Sequence, residues 1–115
     1  MTQTIYKILP AADWRAAQQA GVFRGAGIDL TDGFIHFSTA KQTRETAAKH
    51  FSGRADLVLV AVEGDRLGSA LKMEPSRGGQ LFPHLYGALS LDRVLWAKPM
   101  ALGPNGSHIF DQPGF

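Results

Sequence analysis

The sequence predicts an α+β domain built on a mostly antiparallel sheet with two short helices. Three observations carry this: β-branched and aromatic runs recur along the chain, two stretches keep a helical period, and no repeat or regular strand–helix–strand rhythm is present. At 115 residues a single domain spanning 1–115 is expected.

The first strand is Thr4 to Leu9, a β-branched and aromatic stretch that stops at Pro10, whose missing N–H cannot serve a ladder. From Ala11 a helical stripe of Trp14, Ala17 and Gly21 predicts an amphipathic helix, with Trp14 as core packing and Gly21 as the C-terminal cap. Residues 21–33, rich in glycine, read as a loop or short irregular strand. Phe34 to Ser38 is a compact strand with Phe34, His36 and Ser38 on one face and Ile35 and Phe37 on the other. Thr39 and Gln42 have capping-box spacing and open a second helix that Gly53 ends.

Asp56 to Val62 is apolar on both faces, as a central strand requires. After the turn at Glu63-Gly64-Asp65, further strands are expected at Ala70 to Glu74, Phe82 to Gly87 and Leu91 to Leu102, with a polar double-glycine loop over Ser76 to Gln80. Residues 103–115 read as a mostly irregular tail.

Composition narrows the function classes. With no cysteine, a disulfide framework, a thiolate metal site and a cysteine nucleophile are excluded. The formal charge is +2 and the isoelectric point about 9.2, but no run of four basic residues occurs. Scattered charge argues against a nucleic-acid stripe or a membrane patch, so the expected partner is a small, anionic ligand. The amino-terminal residues lack the order of a secretory signal, and the longest apolar run, Leu57 to Val62, is far short of the roughly 20 residues of a spanning helix. A cytoplasmic location with no membrane partner is the expectation.

No Gly-x-x-x-x-Gly-Lys-Ser/Thr, His-Glu-x-x-His or Gly-x-Ser-x-Gly string occurs, and Gly25-Ala26-Gly27 lacks the third glycine of a dinucleotide fingerprint. Two segments stand apart: Gly33-Phe34-Ile35-His36-Phe37-Ser38-Thr39 and Phe82-Pro83-His84-Leu85-Tyr86-Gly87. Each sets a histidine among aromatic and small polar residues, and alternation puts His36 with Ser38, and His84 with Tyr86, on one side of a sheet. A cleft between them would offer imidazole, hydroxyl and phenol. The plainer alternative is that each histidine bonds a backbone carbonyl beneath a loop. A metal would need a third ligand from His50, His108 or Glu74 that the sequence does not bring near, so none is assigned. Glu74, just before Pro75, matters only if it faces the histidines, and Arg24 and Lys7 are the nearest candidate partners for an anion.

With these residues assembled, the chain resembles a family of small bacterial proteins known only as a domain of unknown function, number 952 in its series. The resemblance covers nearly the whole chain and rests on Ile5-Tyr6-Lys7-Ile8, Trp14, Asp32 to Thr39 with Gln42, Glu74, and Phe82 to Gly87. It implies a fold similar to that of ADP-ribosyltransferases, a mostly antiparallel split sheet whose cleft holds NAD. Phe34 to Leu67 also resembles a segment of RNA 2′-phosphotransferases, through Ile35-His36-Phe37 and Val58 to Asp65. The chain departs from the transferases at Lys7, where His or Arg is usual, and Glu74 stands in for their glutamate motif.

The function so implied is action on NAD or a related ADP-ribosyl nucleotide. His36, His84 and Glu74 are the catalytic candidates; Ser38, Gln42, Tyr86, Arg24 and Lys7 are the ligand-binding ones. The alternative is a module that binds a nucleotide or other small anion without turning it over. A third reading gives both histidines a purely structural role.

Overall fold

The computed structural model describes residues 3–112, 114 and 115. Met1, Thr2 and Pro113, which belong to the expected 1–115 domain and in part to its 103–115 tail, lie outside the described residues.

The apolar run Leu57–Glu63 forms β4, which lies between β1 (Thr4–Pro10) and β8 (Val94–Leu102), antiparallel to both. Alternation along β4 feeds two cores. Val58, Val60 and Val62 join Ile5 and Leu9 of β1 on one face, and Leu57, Leu59 and Ala61 join Tyr6 and Ile8 on the other. Helix α1 (Ala11–Ala20) covers the first face, with Ala17 buried and Trp14 packed against that core, and it ends at Gly21 in the left-handed conformation. Helix α3 (Ala40–His50) covers the second through Ala47. Burial on both faces makes β4 the centre of the molecule, as its composition requires.

The remaining strands are short or peripheral. β2 (Val22–Phe23) pairs with β7 (Leu89–Ser90), and β9 (His108–Ile109) closes the far edge against β8. A three-stranded unit sets β6 (Leu81–Leu85) between β3 (Ile35–His36) and β5 (Leu71–Pro75). Every one of these pairings is antiparallel.

The expected strand over Phe34 to Ser38 is divided. Ile35 and His36 pair with β6, and the Phe37 N–H still bonds the Pro83 carbonyl. Ser38 instead exchanges both backbone hydrogen bonds with Tyr6 at 2.8 Å each. The chain passes here from one sheet to the other, which curls and splits the sheet. β1 is an edge strand of its own sheet, so the Tyr6–Ser38 bridge is the seam.

Three α-helices occur among the described residues, not two. The extra one, α2 (Ile28–Asp32), falls within the glycine-rich stretch and is bounded by Gly27 and Gly33, both at positive φ. Five residues show too little of a helical period to be read, and this turn is stabilised by tertiary bonds to Asp29 rather than by propensity. Leu91 to Arg93, expected to be strand, form a 3₁₀ turn before β8. No described helix is long and apolar enough to cross a membrane.

Gln42 illustrates how one side chain can join elements. Its Oε1 accepts the Thr39 N–H at 3.0 Å at the start of α3, and its Nε2 donates to the Leu81 carbonyl at 2.8 Å on β6. Gln42→Ala is therefore expected to cost about 1 kcal/mol in urea unfolding. A loss of less than a few tenths would contradict this role.

Candidate functional site

His36 and His84 stand directly opposite each other on β3 and β6. Residues facing across an antiparallel pair project to the same side, so the two rings meet, 5.4 Å apart between centroids. Phe34, two residues before His36, stacks on His84 at 4.2 Å and lies 4.5 Å from His36. The same face carries Glu74 of β5, opposite Phe82 in register. Its Oε1 lies 2.9 Å from His84 Nδ1 and accepts the Tyr86 hydroxyl at 2.7 Å. The bonds from Tyr86 and His84 hold the Glu74 carboxyl below its ordinary range, and the same carboxylate pushes the Tyr86 phenol up.

His36 is held from the other side by α2. Asp29, 3% exposed, accepts both the His36 backbone N–H at 3.1 Å and His36 Nδ1 at 2.6 Å through Oδ1. Its Oδ2 accepts the Ala26 N–H and pairs with Lys7 Nζ, each at 3.0 Å. Burial pushes the Asp29 carboxyl up, but the Lys7 charge and the donated bonds outweigh it and leave it below its ordinary value. Burial also pulls the Lys7 ammonium down, against the pull of Asp29. Lys7 Nζ donates further to the His36 carbonyl at 2.9 Å. Gly25 makes room for this cluster: a Cβ there would lie 2.9 Å from Asp29 Cβ, and φ is +116°. Asp32 closes the far end of the ring, Oδ2 to Nε2 at 3.0 Å. Carboxylates only accept, so His36 makes both bonds when both its nitrogens carry protons.

These residues border a cleft of about 540 Å³ along β1, between α2 and α3, a size suited to a small organic ligand. His36, His84, Lys7 and Ser38 line it together with Asp13, Asp29, Asp32 and Arg54. Ser38 shares a 2.8 Å hydrogen bond with the Thr46 hydroxyl. Other candidates lie outside the lining. Glu74 and Tyr86 stand behind His84, Gln42 serves α3 and β6, and exposed Arg24 borders a separate cavity of about 260 Å³ beside Phe34. Lys7 is committed to Asp29 and the His36 carbonyl. Sequence reasoning missed Asp29 and Asp32, although their i, i+3 spacing just before the His36 segment places both on one side of a helical turn. Phe34, noted only as an aromatic neighbour in the His36 segment, proves to stack on His84. Among the described residues, no group of three or more metal-ligating side chains is suitably clustered.

No curated protein matches the chain. Solved structures do. The crystal structure of protein CC0527 from Caulobacter crescentus is 50% identical, with 92% of this chain and 93% of that one covered and a TM-score of 0.89. The solution structure of CC0527 is 51% identical over 90% of each chain, with a TM-score of 0.82. The family model described as Protein of unknown function (DUF952) matches residues 8–97, a span holding both histidines and all three of their carboxylates, and the chain belongs to that family.

Proposed function

We propose that the cleft binds NAD or a related ADP-ribosyl nucleotide, with His84 as the general base and His36 as a hydrogen-bond donor to the ligand, on a fold of the ADP-ribosyltransferase kind. One observation carries the reading: two histidines from distant segments face each other in register, line one cleft, and each turn Nδ1 to a carboxylate. Such a carboxylate orients the ring and makes Nδ1 the donor, which leaves His84 Nε2 for proton transfer, while His36 Nε2 faces Asp32. The lining suits a nucleotide because it mixes cationic or protonatable donors, including Arg54, with the carboxylate of Asp13, which can accept ribose hydroxyls.

In this scheme the bond from ribose C1′ to nicotinamide breaks with its electron pair leaving on the neutral base. Asp13, in the lining of the same cleft, supplies the negative charge that an oxocarbenium-like ribose needs. His84 Nε2 accepts the proton of an attacking water or hydroxyl. Glu74 works through His84 as a positioning residue, not by touching the ribose.

A second reading, binding without turnover, is favoured by one observation: Asp32 already occupies His36 Nε2. Thermal unfolding with NAD, ADP-ribose and nicotinamide tests both. Ligand at 100 times its Kd adds about 2.7 kcal/mol, a rise of several degrees for a domain of this size. No rise at millimolar nucleotide refutes the proposal. Where NAD binds, nicotinamide release by the wild type, lowered in Glu74→Gln, supports the enzyme. Equal and negligible release in both leaves the binding module.

A further inference from the structure

The two carboxylates on His36 come from one helical turn yet differ in kind. Asp29 is the inner one, its side chain 2% exposed, and it is fixed by donors from Lys7, Ala26 and His36. Asp32 is the outer one, its side chain 43% exposed, and among the described residues its His36 contact is its one ion pair or side-chain hydrogen bond. A multiply bonded buried carboxylate is a fixed part of a site. A single exposed ion pair is weak and readily exchanged. Asp32 Oδ2 thus holds an anionic oxygen 3.0 Å from Nε2 at the lining of the cleft, with little to keep it there.

We infer that Asp32 stands in for the ligand: a phosphate oxygen takes its place on His36 Nε2 when the cleft fills, and Asp32 turns outward to solvent. Rotation of one side chain suffices, because Asp32 ends α2 and Asp29 keeps the ring anchored through Nδ1. The site therefore selects a phosphate ester whose oxyanion can displace a carboxylate, and free anions compete for the same nitrogen. This rests on the reading of the cleft as a nucleotide site and assigns that nucleotide's phosphate to His36.

The test uses the full chain, with inorganic phosphate as the probe and the imidazole nitrogens followed by ¹H–¹⁵N NMR. Asp32→Ala removes both the competitor and a negative charge, so phosphate should bind about twofold to fivefold more tightly than to the wild type, with the His36 Nε2 signal moving. Asp32→Asn, which keeps the side-chain volume, should also bind more tightly and serves if the alanine variant does not fold. Equal affinity in the wild type and the variants, no phosphate binding at all, or signals that move only away from His36 would each overturn the inference. ADP-ribose separates the two claims. If it binds the wild type with an affinity that neither variant changes, displacement fails while the nucleotide reading stands. If phosphate tightens on His36 in the variants while no nucleotide binds to any of the proteins, displacement stands and the nucleotide reading fails.

Discussion

Asp29→Ala is expected to lower the free energy of unfolding by about 3–5 kcal/mol, the range seen when one member of a buried ion pair is removed. The loss arises because Lys7 stays buried with its charge unpaired while the Ala26 and His36 donors lose their acceptor. Against a typical domain stability of about 5–15 kcal/mol, this brings the chain close to unfolding. Urea titration should show a lower midpoint at unchanged slope, and a loss under about 1 kcal/mol would contradict the role given to the pair. Lys7→Met combined with Asp29→Leu should recover much of the stability, since no buried charge remains. It should not recover the site, because the His36 ring is then without its anchor.

The same pair sets an acid limb. The Asp29 carboxyl is held below its ordinary value of 3.8 in the folded chain, so the unfolded chain binds the proton more readily. Its contribution is full above the unfolded value of about 3.9 and is lost as pH falls through the lower folded value. Stability of the wild type should fall below about pH 4, and Asp29→Ala should show a shallower fall over that window. Parallel curves in the two proteins would remove Asp29 as the cause.

The second large effect is on turnover. His84→Gln should lower nicotinamide release by about 10²–10⁴-fold, the usual contribution of a positioned base, whereas His36→Gln should act mainly by weakening nucleotide binding. At saturating nucleotide the double variant should turn over about as slowly as His84→Gln alone, because His36 acts on binding. Nucleotide binding to His84→Gln, measured by thermal shift, should survive within a few fold. A loss under tenfold in His84→Gln would end the general-base assignment, whatever the nucleotide affinity.

Much of the fold was legible because its signals are local. β1 ends with Pro10, α1 ends at Gly21, α3 starts at the Thr39 and Gln42 pair, and the apolar run of β4 is buried on both faces, each as residue type and period require. The histidine segments stood out for the same reason: polar rings among aromatics are visible in a string. What lay hidden was held by distant contacts. The turn of α2 depends on Asp29, which is tied to Lys7 from the first strand and to His36 from the third.

The sequence alone thus determined the order of the principal strands and the two longer helices, the absence of thiol chemistry, and the two histidines as the most informative side chains. Periodicity and composition act over a few residues, and those features need no more. Only the tertiary structure decided that His36 faces His84 across β3 and β6, that Asp29 and Asp32 are the carboxylates on His36, and that Glu74 serves His84 from behind the cleft. Strand register and the seam between Tyr6 and Ser38 set those pairings, and both arise from contacts between segments that no local pattern joins.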